Sequence, residues 1–167
     1  MKNIMRNFFI FLVIILCVPI KSYGLIEVDI TRGNLNPLPV AVSPLSIDEK
    51  SKKSFEGLLK KKNIGEEISS IVENNLRTSG LFNPLSKDAF LQAPDIANLK
   101  PRFEDWNLIK AQALITGKVV SVDDKLRVEF RLWDVLAGKE MMALAFTTVP
   151  TNWRRVGHII SDKVYER

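Results

Sequence analysis

Along the chain, the spacing of hydrophobic positions changes from two to about four and back, and each change marks an element. Residues 25–31 alternate, with Ile26, Val28 and Ile30 on one side and Glu27, Asp29 and Thr31 on the other. Period two with β-branched residues predicts a half-buried strand, and Gly33 and Asn34 end it. After Pro37 and Pro39 the run Val40-Ala41-Val42 is short and apolar, as expected of a buried strand, and Pro44 stops it. Residues 46–62 are polar and charged and read as a solvated loop. Asn63 then has the character of an N-cap, with Glu66 and Glu67 in the first turn, where the helix dipole favours negative charge. Ile64, Ile68, Ile71, Val72 and Leu76 follow at helical spacing, and Gly80 suits the left-handed residue after the helix.

Residues 81–85 are a short extended piece, weakened as a central strand by Pro84, and Ser86 caps a brief helix reaching Phe90. Residues 92–103 read as loop, with Pro94 and Pro101, and 103–111 as a short amphipathic helix through Phe103 and Trp106. The clearest β signal comes next. Residues 114–122 form a strand and Asp123-Asp124 a turn, after which Leu126, Val128, Phe130 and Leu132 alternate with Arg127, Glu129 and Arg131. A turn at 134–138 and a strand at 139–149 complete an antiparallel meander, and Pro150 and Thr151 open a last helix with Trp153, Val156, Ile160 and Val164 on one side. The order predicts an α/β fold of α+β-like character. It is a small mixed β-sheet of about five strands with two long helices packed on one face, plus short helical pieces.

Composition changes this picture at the amino terminus. Lys2 and Arg6 precede an apolar run of 13 residues at 8–20, and Ser22 and Gly24 supply small residues before a cut after Gly24. A membrane-spanning helix needs about 20 apolar residues, so residues 1–24 read as a cleaved signal peptide and 25–167 as the mature domain. Loss of Lys2, Arg6 and Lys21 takes the formal charge from +5 to +2. A nearly neutral domain has little electrostatic drive toward nucleic acid. The single cysteine, Cys17, lies in the apolar run, so the mature domain is stabilised by its core and not by a disulfide.

Candidate chemistry is sparse. One histidine and no mature cysteine point to no metal site. His158 has Asp162 four residues on, which reads as a surface contact along a helix. No Gly-x-Ser-x-Gly and no glycine-rich phosphate loop occurs. Asp123-Asp124 reads as a turn using Asp for local hydrogen bonds. Trp106, Trp133 and Trp153 read as core, and Arg154-Arg155 as a salt bridge to the sheet or a domain contact. The expectation is a non-enzyme without cofactors, metals or a small-molecule substrate.

An ordered set of stretches carries a resemblance. It comprises Leu-Phe-Asn-Pro-Leu at 81–85, Phe-Glu-Asp-Trp at 103–106 and Ala-Leu-Ile-Thr-Gly-Lys-Val at 113–119. Val-Glu-Phe-Arg-Leu-Trp-Asp-Val at 128–135 and Asn-Trp-Arg-Arg-Val-Gly-His-Ile-Ile-Ser-Asp-Lys-Val-Tyr-Glu at 152–166 complete it. Over nearly the whole mature chain this is similar to the N-terminal domain of the TolB family of the Tol-Pal system. The resemblance implies a periplasmic α/β interaction domain, followed in the family by a six-bladed β-propeller, that serves outer-membrane integrity during cell division. It implies that the segment after signal cleavage, Leu25, Ile26, Glu27, Val28, Asp29, Ile30 and Thr31, contacts the inner-membrane protein TolA. Its alternation suits strand addition to a sheet edge. The family's propeller binds the peptidoglycan-associated lipoprotein. Here the sequence stops at Arg167, which implies a domain excerpt or a truncated or split-gene remnant, and no residue for that lipoprotein is carried over.

Overall fold

The computed structural model describes residues 36–59 and 63–167. The signal peptide and the strand expected at 25–31 lie outside the described residues. Strand β1 (Leu38–Val42) and the two-residue β2 (Ser46–Ile47) lead into helices α1 (Glu49–Leu59) and α2 (Ile64–Thr78). Strand β3 (Phe82–Pro84), a 3-10 turn at Lys87–Ala89, and the short helices α3 (Pro94–Leu99) and α4 (Phe103–Leu108) follow. Then come β4 (Ala113–Val122), β5 (Lys125–Asp134), β6 (Lys139–Thr148), a 3-10 turn at Pro150–Asn152, and α5 (Trp153–Tyr165).

These strands form one mixed sheet in the order β3-β1-β4-β5-β6, with β2 also paired to β4. β3, β1, β2 and β4 run parallel, and β4, β5 and β6 are antiparallel. The crossover from β1 to β3 and the crossover from β3 to β4 travel in opposite directions across the sheet. A common crossover hand therefore puts their helices on opposite faces. On one face α2 and α5 bury Ile68, Val72, Leu76, Val156 and Ile160 against Val128, Phe130 and other sheet residues. On the other, Trp106 of α4 packs with Ala41, Leu114 and Val135 in a smaller cluster. The two long helices share one face, as the sequence predicts, and the short pieces lie on the other.

Three elements depart from the sequence reading. Within the expected loop of 46–62, residues 46–59 hold a strand and a helix. Asp48 accepts hydrogen bonds from the Ser51 amide (2.8 Å) and hydroxyl (2.9 Å) at the start of α1, and Phe55 is fully buried. The 92–103 loop contains α3, because Pro94 sits at the first turn, where a missing N–H costs nothing. Two-residue β2 gives the sheet a sixth strand. The expected helix cap, left-handed glycine and hairpin turn are present. Asn63 accepts from the Glu66 amide at 3.2 Å, Gly80 has φ +73°, and Asp123 and Asp124, at φ +48° and +58°, form the two-residue turn between β4 and β5.

β1 and β2 are one strand broken at Ser43-Pro44-Leu45, and a helix side chain bridges the break. The buried hydroxyl of Ser69 on α2 accepts from the Leu45 amide at 2.9 Å. It donates to the carbonyls of Ser43 (3.1 Å) and Gly65 (3.0 Å). Ser69→Ala leaves the Leu45 N–H buried without a partner and should destabilise by about 1–3 kcal/mol in urea unfolding. Two glycines give a contrasting pair. A Cβ at Gly117 would lie 2.3 Å from the Glu129 carbonyl oxygen, whereas one at Gly57 on α1 meets nothing within 4 Å. Gly57→Ala should therefore raise stability by about 0.5–1 kcal/mol, and Gly117→Ala should lower the urea midpoint.

Candidate protein-interaction site

The partner-binding residues expected from the sequence, Leu25 to Thr31, lie outside the described residues, as does the cleavage point after Gly24. The described surfaces are built by the sheet edges and by the seams between helices.

The half of the sheet formed by β5 and β6 exposes one face, and its charged side chains are paired there. Glu129 receives Arg127 Nε at 2.9 Å and Lys118 Nζ at 3.3 Å. Arg131 reaches Glu140 at 3.2 Å and also donates to the Asn98 carbonyl of α3. Trp133 caps this face, donating from Nε1 to Thr116 Oγ1 at 2.9 Å and meeting Phe103 edge-on. Hydrogen bonding from Arg127 holds the Glu129 carboxyl below the usual glutamate range, against the opposing effect of burial and with a lesser contribution from Lys118.

On the opposite face, α2 and α5 meet along a polar seam. Asn75 donates its side-chain amide to His158 Nδ1 at 2.9 Å and to Ser161 Oγ at 3.0 Å. Tyr165 donates to the Asn75 carbonyl. This corrects the sequence reading, which joined His158 to Asp162. The histidine turns instead to the neighbouring helix, because close packing at Gly157 brings α2 within reach. A Cβ there would lie 2.9 Å from Ile71. Arg154 stacks 4.8 Å from the Trp153 ring centroid, and neither Arg154 nor Arg155 forms an ion pair among the described residues, so the expected bridge to the sheet is not made. Trp106 and Trp153 are buried, as expected of core residues.

Two grooves flank the helices. One, of about 370 Å³, is apolar and lies where β1 begins and α5 ends, between Leu38, Phe82, Leu132, Met141, Val164 and Tyr165. The other, of about 360 Å³, runs between β6 and α5, past Phe146, Thr148, Asn152, Arg155, Val156 and Ile159. The sequence marked 139–149 as a strand. That β6 forms an edge, and that a groove runs beside it, depends on the order of strands, which periodicity does not encode. Among the described residues no cluster of His, Cys, Asp and Glu could hold a metal ion, and no helix is long and apolar enough to cross a membrane.

The family model described as the TolB amino-terminal domain matches residues 26–141. A Tol-Pal system protein TolB from Pelagibacter ubique (strain HTCC1062) is 77% identical over 164 residues, which is 98% of this chain and 36% of that protein. The chain thus spans about a third of that relative's length. The crystal structure of TolB from Acinetobacter baumannii is similar with a TM-score of 0.60 at 22% identity, over 78% of this chain and 28% of that one, a likeness of fold.

The pairing around Glu129 makes a prediction. Because its folded pKa is depressed, the stabilisation is present above the unfolded value of about 4.3 and is lost as pH falls through the folded value. Urea midpoints of Glu129→Gln should decline less steeply below about pH 4.3 than those of the unaltered protein. Parallel curves would remove Glu129 from the acid response.

Proposed function

The chain belongs to the TolB amino-terminal domain family, and from that premise we propose that it is a periplasmic protein–protein interaction module of a Tol-Pal system. Residues 1–24 direct export and are cut after Gly24. The freed arm, Leu25 through Thr31, contacts the periplasmic domain of TolA. The observation that carries this reading is the 77% identity to a Tol-Pal system protein TolB across 98% of the chain.

Physical features of the sequence support the arm's role. Ile26, Val28 and Ile30 alternate with Glu27, Asp29 and Thr31. An extended segment of that pattern binds a sheet edge through its backbone and selects its partner through alternate side chains. The role in outer-membrane integrity and cell division comes with the same family reading. Contact with the peptidoglycan-associated lipoprotein would require a propeller, and no residue of this chain is assigned to it.

Titration of purified 25–167 and 32–167 against the periplasmic domain of TolA tests the arm. Loss of seven residues should weaken binding at least about tenfold, or 1.4 kcal/mol. Equal affinity would refute the assignment. Mass spectrometry of a periplasmic extract should find the mature amino terminus at Leu25.

A further inference from the structure

Among the described residues, the backbone of β6 is satisfied on one side only. It ends the strand order and pairs with β5 from Leu126↔Thr148 to Asp134↔Lys139. Alternate N–H and C=O groups therefore point away from the sheet, which is a template for another strand. Natural edges are guarded by charge, proline, bulges or brevity. In β6 the charges, Lys139 and Glu140, lie before a register shift opposite Leu132/Trp133. Residues 142–148 that follow are Met-Ala-Leu-Ala-Phe-Thr-Thr, without charge, proline or glycine.

The flanks of this edge specify what fits it. On the helix side Leu144 is 37% exposed. Phe146 is half-buried even though it stacks on Phe130. The groove between β6 and α5 continues outward from Phe146 and also presents Thr148, Asn152 and Arg155. A strand added about 4.8 Å beyond β6 would lay every second side chain beside Leu144 and Phe146, where apolar groups are favoured. On the open side Ala143, Ala145 and Thr147 are short, so Arg127 is uncovered one strand inward, opposite Thr147. It shares the single carboxylate of Glu129 with Lys118, leaving positive charge in excess. A second copy pairing through 142–148 would bring no carboxylate to Arg127.

We infer that residues 142–148 of β6 form a docking edge for an extended segment of a partner protein in which apolar side chains alternate with acidic ones. This surface belongs to the folded body.

Four capped nine-residue peptides test it with the full chain. Three alternate isoleucine with glutamate, lysine or threonine, and the fourth is the glutamate peptide N-methylated at alternate residues. Hydrogen exchange should show protection of amides within 142–148 by the glutamate peptide, with at least about tenfold tighter binding than the lysine peptide at low salt. N-methylation should abolish binding, since it removes the backbone donors. Leu144→Lys, at a half-exposed position, should weaken binding at least about tenfold, and R127Q should bring the glutamate and threonine peptides to equal affinity. Should either variant fail to fold, the N-methylated peptide decides on the unaltered chain. Protection elsewhere, equal binding of all four peptides, or a dimer that Leu144→Lys dissociates without any peptide uptake would each overturn the inference.

Discussion

Everything in this fold depends on β4 having a partner along both of its edges. It is the central strand, and its backbone groups must be satisfied where no water reaches. On one side β5 matches it residue for residue, from Ala113↔Asp134 to Val122↔Lys125. On the other, two short pieces share the work, β1 against 113–115 and β2 against 118–119. Across the gap the Ser43 amide still donates to the Ile115 carbonyl of β4, and the Ser46 hydroxyl to that of Gly117. The Ser69 hydroxyl of α2 satisfies the Leu45 amide and Ser43 carbonyl of the broken strand, so the helix is part of the sheet's hydrogen bonding as well as its cover. Gly117, at the level of that gap, lets Leu45 and the β5 backbone approach β4 closely. The broken strand beside the centre of the sheet thus has its freed backbone groups satisfied only when helix α2 is docked.

The same centre explains the unequal edges. Strands added on the β1 side are short and parallel, each needing a helical crossover, and the sheet ends there at the three-residue β3 with Pro84. Strands added on the β5 side come from tight turns and run ten residues. One edge is therefore brief and carries a proline, while the other is long and, beyond its register shift, unguarded. Chain connectivity alone places the surface with the most unsatisfied backbone at β6.

Periodicity revealed the elements whose apolar residues repeat at one spacing, namely α2, α5 and the β4-β5-β6 meander. It missed α1 because the residues that α1 buries are Ser51 and Phe55 among lysines, too few apolar positions to form a stripe. It does not show α3, because Pro94 reads as a breaker although the first turn of a helix accepts proline. β2 has no local signal, since two residues are a strand only by virtue of β4. The His158 contact was misassigned for a related reason. Spacing along α5 pointed to Asp162, but helix–helix packing supplied Asn75 from 83 residues away. For the site, the alternation of 25–31 was legible as an extended binding segment, and its partner came only with the family. The β6 edge required topology.

An edge of this length sets its own limit on affinity. Seven residues pairing on one side form about three or four backbone hydrogen bonds, each worth about 1 kcal/mol net. Three apolar side chains beside Leu144 and Phe146 add about 2 kcal/mol each. Ordering seven backbone residues costs about 1.5 kcal/mol apiece, which nearly cancels those gains. The free segment thus binds weakly, and the charge pair with Arg127 mainly selects among sequences. Such an edge is occupied when the visiting segment is already held nearby, because attachment raises its effective concentration to the millimolar range without any new contact. A module of this kind therefore reports whether its partner is present and tethered, and releases it when the tether moves. That behaviour follows from the marginal energetics of one exposed strand.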